Sequence, residues 1–152
     1  DGAAIMEALS AQGFTGSIFG ADGVADATFT QSFADASAVE GLIATRPRPG
    51  EASGVKEQFD SAYAAAGGAD GAIYTGETYD AVKIAGAAIV SNSGNILEAL
   101  KKVGTNYVGA SGTHTFDEAG DVLGTGYEVC KFTASSFSCP QTWTADGGLT
   151  TN

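Results

Sequence analysis

Apolar positions along this chain switch between helical and alternating spacing, and each switch marks a new element. From Asp1 to Gln12, Ile5, Met6 and Leu9 fall on one helical face, and Gly13 stops the run. Ser17-Ile18-Phe19 is a short apolar strand leading into Gly20-Ala21-Asp22-Gly23, and Phe29 to Ala34 predicts a brief helix. Gly41 to Thr45 gives a second strand, closed by Arg46-Pro47-Arg48-Pro49-Gly50. Proline has no backbone N–H to donate, so both prolines are expected outside any central ladder, in an extended crossing between lobes.

Helices dominate the middle. Glu51 to Ala66 sets Val55, Phe59, Ala62 and Tyr63 at helical spacing before Gly67-Gly68. Ile73 to Val90 predicts a longer helix with Thr78, Ala81, Val82, Ala85 and Ile89 as its apolar stripe. Asn95 to Val103 gives another, with Ile96, Leu97 and Leu100 inward. Lys101 and Lys102 close that helix, where its dipole favours cations. The chain then alternates Tyr127, Val129, Lys131 against Glu128, Cys130, Phe132, a β-hairpin with its turn near Ala134-Ser135. The class is therefore α/β, helices and strands in layers with a C-terminal β-hairpin, and no internal repeat is evident.

Setting Phe132 opposite Phe137 in that hairpin puts Cys130 directly opposite Cys139. Facing positions on paired strands bring Cβ atoms within reach of a disulfide. A Cys130–Cys139 bridge implies an oxidising compartment; two buried thiols in a cytosolic core are the alternative. No His or further Cys lies at ligand spacing, so no metal site is expected.

Composition narrows the class further. The 152 residues are long enough for an ordinary domain with a core, and are 43% hydrophobic and 16% charged. Mean hydropathy is +0.04. The longest apolar run, Ile84 to Val90, falls far short of the ~20 residues a membrane span needs. Asp1 opens directly into a helix, so the sequence reads as a mature, truncated or processed product. A net charge of −11 repels phosphate backbones and argues against a nucleic-acid partner.

Catalytic constellations are not apparent. His114, the single histidine, sits between Thr113 and Thr115 and is expected to be a solvated loop residue. Gly109-Ala110-Ser111-Gly112 lacks the Gly-x-Ser-x-Gly spacing of a nucleophile elbow. Gly20-Ala21-Asp22-Gly23 follows a strand as a phosphate loop would, but Asp22 would repel phosphate and no Lys-Ser/Thr partner follows. Neither an enzyme nor a cofactor is expected.

The order of motifs carries a resemblance. Tyr79-Asp80-Ala81-Val82 on a helix is followed by Tyr107-Val108-Gly109-Ala110-Ser111-Gly112, then Phe116-Asp117-Glu118-Ala119-Gly120-Asp121, then the hairpin. In the acidic turn, Asp117 and Asp121 are expected to accept backbone N–H bonds two residues on, with Gly120 at positive φ. The chain resembles the carboxy-terminal portion of a class I (Leu/Ile/Val-type) periplasmic solute-binding protein, a two-lobed partner of an ABC importer. That resemblance implies residues 1–48 finishing the second lobe's α/β unit, 49–122 belonging to the first lobe, and 123–152 returning as a hairpin to the second. It implies an extracytoplasmic protein that binds a small polar solute, an amino acid foremost, and presents its closed form to a membrane permease.

Three candidate ligand contacts follow from it. Asp22 matches an acidic position that grips the ligand's ammonium group, a charge-assisted pairing; shaping the turn before Gly23 is its alternative role. Tyr74 matches an aromatic lining the ligand side-chain pocket, or is a core tyrosine at a helix start. Glu77 lies one helical turn on. The first-lobe loops that hold the ligand carboxylate are absent from these residues. A missing amino-terminal part, or a swapped copy, is therefore the expected partner. A sensor or receptor ectodomain of the same fold, and a surface interaction module with no small ligand, are the rival functions.

Overall fold

A computed structural model describes residues 1–48, 50, 53–69, 73–91, 94–122, 124, 126–134 and 136–152. Pro49, Glu51 and Ser135, named above, lie outside the described residues. The chain forms two compact units, one of residues 1–48 and 125–152 and the other of residues 49–124.

The first unit is built on a sheet. Helix α1 (Gly2–Ala11) precedes strand β1 (Phe19–Gly20), three 3-10 turns span Asp22–Val24, Ala27–Ser32 and Ala36–Val39, and β2 (Ile43–Pro47) follows. Strands β5 (Tyr127–Thr133), β6 (Ser136–Thr144) and β7 (Gly148–Thr151) complete it in the order β1-β2-β5-β6-β7. The β1–β2 pair is parallel and the remaining pairs are antiparallel.

Alternation along β5 works as the sequence predicts: Cys130 and Phe132 are buried while Tyr127 and Lys131 face outward. Phe132 joins Met6, Ala25, Val39, Leu42 and Ala44 in the core, with Phe29, Phe33 and Phe137 packed on it. The rings of Phe132 and Phe137 lie 4.7 Å apart, and Phe29 meets Phe132 edge-on at 6.0 Å. Burying a phenylalanine of this kind contributes about 1.5–3 kcal/mol. The brief helix expected over Phe29 to Ala34 forms as a 3-10 helix displaced toward the N-terminus, Ala27–Ser32, capped by the Asp26 side chain. Short capped turns suffice to bring Phe29 and Phe33 together at 5.1 Å.

Pro47 corrects one expectation, because it ends β2 inside the ladder, opposite Tyr127. Strand β1 pairs only with Ile43 and Ala44, so no β1 residue opposite Pro47 requires its missing N–H. The hairpin register also differs in part. Lys131 pairs with Ser138 and Phe132 with Phe137 as expected, but Val129 pairs with Gln141, one residue out of step. Cys139 and Pro140 together oppose Cys130, and a bulge is where a strand accommodates a proline. The disulfide Cys130–Cys139 forms at this step.

The second unit is mainly helical: α2 (Gly54–Ala65), α3 (Thr75–Val90) and α4 (Ile96–Val103) accompany a small hairpin of β3 (Tyr107–Gly109) and β4 (Gly112–His114). Ser53 caps α2 by accepting from the Lys56 N–H, and Asn95 caps α4 by accepting from Leu97 and Glu98. Stacked Phe59 and Tyr63, with Phe59 also 5.0 Å from Tyr79, join α2 to α3. On α3 the buried positions are Gly76, Asp80, Ile84 and Ala88, one turn apart. The predicted stripe is thereby corrected, since Val82 and Ile89 are exposed by 66% and 68%. Ile96 and Leu97 of α4 are exposed as well, and Ala99 is the buried residue there. These apolar side chains are correctly spaced for a helical face, but no described residue of their own unit covers them.

Candidate functional site

Strand β1 ends at Gly20, and the chain turns at once into the 3-10 turn Asp22–Val24. A side chain at position 20 would collide with Val24, so glycine is what lets the turn fold back onto the strand. This places Asp22 just past the carboxyl end of a parallel strand, the end at which open α/β sheets hold ligands. Its side chain is exposed. A cavity of about 370 Å³ in the same unit is lined by Met6, Phe14, Ser17, Ile18, Glu40 and Gly41 among others. Those residues precede β1 and β2, and Asp22 does not line the cavity.

Tyr74 and Glu77 belong to the other unit, where the structure brings them together at the start of α3. Tyr74 is the N-cap residue and takes a left-handed conformation, φ 62° and ψ 11°. Such a backbone costs a tyrosine about 1 kcal/mol or more, and strain of this kind concentrates at functional sites. Its carbonyl accepts the Thr78 N–H at 3.0 Å. Glu77 lies in the first turn, half-buried, where the helix dipole favours an anion.

Six residues further along α3 than Tyr74, a cluster emerges that the residue pattern did not announce. Asp80 is 2% exposed. Its Oδ1 accepts the Ala110 N–H at 2.8 Å, and its Oδ2 accepts the Ser111 N–H at 2.7 Å and the Ser111 hydroxyl at 2.6 Å. His114 Nε2 stands 2.9 Å from Ser111 Oγ and 3.2 Å from Asp80 Oδ2. Burial alone would raise the Asp80 carboxyl, but the bonds from Ser111, Ala110 and His114 hold it below its ordinary value of 3.8. Nearby Tyr107 is pushed up by its burial and by the Asp80 charge.

His114 is thus corrected from a solvated loop residue to a strand residue, 16% exposed, engaged with Asp80 and Ser111. The three side chains are those of a hydrolase triad, but the wiring is wrong for one. The Ser111 hydroxyl donates to Asp80 Oδ2, and Asp80 and Ser111 both meet the same ring nitrogen, His114 Nε2. In a hydrolase triad the carboxylate and the serine meet opposite ring nitrogens, which is not the arrangement here. A clue was available in the sequence: Asp80 falls on the Gly76, Ile84, Ala88 spacing, and a buried carboxylate needs donors.

The acidic turn after this hairpin also forms. Gly120 adopts φ 93°, Asp117 accepts at its side chain from the Asp121 N–H at 2.9 Å, and its carbonyl accepts from Gly120. The side-chain bond spans four residues, where two were expected.

Among groups able to hold a metal, the described residues offer Glu128 with Cys130 and Cys139. Both sulfurs are joined in the disulfide, and Glu128 is paired with Arg46 at 2.7 Å.

No protein-family profile and no curated protein matches the chain. Solved structures do. A leucine-binding protein, LivK, of Thermotoga maritima is 26% identical over 95% of this chain and 42% of its own, with a TM-score of 0.75. A putative branched-chain amino acid ABC transporter protein of Rhodospirillum rubrum is 25% identical over 91% of this chain and 41% of its own, at 0.60. The LivJ substrate-binding protein of Streptococcus pneumoniae, solved with isoleucine, is 21% identical over 88% and 39%, at 0.66. The chain has the fold of a portion of a class I periplasmic solute-binding protein. It spans about two fifths of the length of these neighbours.

Proposed function

We propose that the protein is the extracytoplasmic solute-binding component of an ABC importer, taking an amino acid between two lobes. The observation that carries this is the fold likeness over 95% of the chain to a leucine-binding protein. The unit of residues 1–48 and 125–152 would supply part of one lobe, and residues 49–124 part of the other. Asp22 would pair with the ligand ammonium, while Tyr74 and Glu77 would line the pocket from the first lobe. Left-handed backbone at Tyr74 is in keeping with that role, since it fixes the ring's direction at a strained helix entry.

Closure around the solute would favour the closed state by differential affinity, and a membrane permease would receive that state. Exposed Val82, Ile89, Val90 and Leu97 suit a surface covered by the rest of a longer protein or by a swapped copy. The disulfide fits an oxidising, extracytoplasmic setting. Among the described residues no helix is long and apolar enough to cross a membrane. Function would lie in binding, not catalysis, in keeping with Asp80 and Ser111 meeting one nitrogen of His114 where a triad needs both.

Isothermal titration of the longest natural form of the protein with leucine, isoleucine and valine tests this. Saturable binding that weakens by at least tenfold in Asp22→Ala is expected. Wild-type affinity in Asp22→Ala would remove that carboxylate from the site, and binding of none of the three would overturn the amino-acid assignment.

A further inference from the structure

Within the unit of residues 49–124, Ser111 is held from one side and leaned on from another. Asp80 Oδ2 accepts its N–H at 2.7 Å and its hydroxyl at 2.6 Å, while Oδ1 accepts the neighbouring Ala110 N–H at 2.8 Å. A side chain at Gly109 would strike the Asp80 carboxylate, so glycine is what lets the loop close on it. One turn nearer the start of α3, a Cβ at Gly76 would stand 3.3 Å from Ser111 Cβ and 3.5 Å from its Cα and N. The three atoms nearest such a Cβ all belong to Ser111. The buried first turn of α3 therefore rests on Ser111, with no slack for a side chain between them.

Two residues before Gly76, Tyr74 keeps its left-handed backbone, with its carbonyl committed to the Thr78 N–H. A residue with a side chain stays in that region only where its surroundings fix it more firmly than the strain costs. The turn between Tyr74 and Thr78 is the part of α3 that meets Ser111. We propose that Ser111 is the stop that keeps Tyr74 left-handed, and that Asp80 is the positioning residue that sets the stop in place. Pushed off the stop, the turn loosens and Tyr74 relaxes toward negative φ, which changes the direction of its ring. The consequence for ligand affinity, through Tyr74 and the neighbouring Glu77, rests on the solute-binding reading given under Proposed function.

The test is NMR on the longest natural form of the protein, without ligand and with its tyrosines isotope-labelled. A left-handed residue brings its amide proton close to its own Hα, so wild-type Tyr74 should give a strong intraresidue NOE. Gly76→Ala sets a methyl too close to Ser111 and should weaken that NOE by about twofold or more. Adding Ser111→Gly removes the facing Cβ and should restore it, which a general loss of stability would not do. Asp80→Asn turns one acceptor oxygen into a donor facing these N–H groups, and should weaken the NOE with Gly76 intact. A wild-type NOE in Gly76→Ala, or a loss that Ser111→Gly leaves unrestored, overturns the stop. A wild-type NOE in Asp80→Asn removes Asp80 from it. Should Gly76→Ala fail to fold, Ser111→Gly alone decides by the same NOE, because it takes away the stop itself; an unchanged signal overturns the proposal. Leucine titration is run separately, and Gly76→Ala should bind about tenfold more weakly than wild type. Failure of wild-type binding would count against the solute-binding reading and leave the NOE result standing.

Discussion

Cys130 and Cys139 are joined at the step where the β5–β6 ladder slips by one residue, so crosslink and bulge share one position. On the turn side the pairing is set by Phe132 against Phe137, and on the far side by Tyr127 against Trp143. The disulfide ties these two halves of the hairpin into one register. It also confines a short loop in the unfolded chain.

Reduction should therefore be costly. A loop of nine residues' separation corresponds to about 2–3 kcal/mol of lost unfolded-state entropy. Urea unfolding of the Cys130→Ser, Cys139→Ser double variant should show that loss against the oxidised protein. Equal midpoints would mean that the hairpin holds its register without the bridge.

How much of this was legible in the residues depended on whether neighbours close in sequence decided the matter. Cys130 and Phe132 alternate on a strand whose partner is nearby in sequence, so burial and crosslink followed from local pattern. The slip at Pro140 needed the competition between turn register and a residue that cannot donate, which residue spacing does not report. On α3 the apolar residues Val82 and Ile89 outnumber the buried ones in hydrophobicity, and they drew the stripe to the wrong face. The real inner face carries Gly76 and Asp80, chosen for close approach and for capping a loop. Ser111 is 31 residues from Asp80, so no local signal joined them. Asp22, Tyr74 and Glu77 came from resemblance, because a ligand contact leaves no periodic trace in the residues around it.

Phe132 is the largest of the fully buried side chains among the described residues. It contacts Phe29 and Phe137 and is 1% exposed, whereas Phe19 on β1 is 72% exposed. Phe132→Ala should lower stability by about 3–5 kcal/mol through lost burial and the cavity left behind. Phe19→Ser should stay within about 0.5 kcal/mol. Denaturant curves of the two variants give the comparison, and a large loss for Phe19 would mean that its ring is covered in solution.

Acid should act on the second unit through Asp80. Its folded value lies below the ordinary 3.8. The stabilisation it supplies is therefore complete above that ordinary value and is lost as pH falls below it through the lowered one. Protonation removes acceptor capacity facing Ser111 and Ala110, with His114 and Tyr107 the other titratable neighbours. Stability of wild type and Asp80→Asn, followed by urea unfolding from pH 7 downward, should differ by a constant amount until the acid limb and then converge. Parallel curves throughout would show that the carboxylate is not held in its charged form by these bonds.

Tyr74 allows strain and ligand contact to be separated by a pair of substitutions. At φ 62° an alanine retains the steric penalty of the left-handed backbone, and a glycine does not. Tyr74→Gly should thus be more stable than Tyr74→Ala by about 1 kcal/mol, measured by thermal or urea unfolding. Both lose the ring equally. If the ring lines the solute pocket, both should bind leucine about tenfold or more weakly than wild type, whatever their stabilities. A glycine variant with wild-type affinity would mean that the left-handed turn serves the entry into α3 alone, and that Tyr74 touches no ligand.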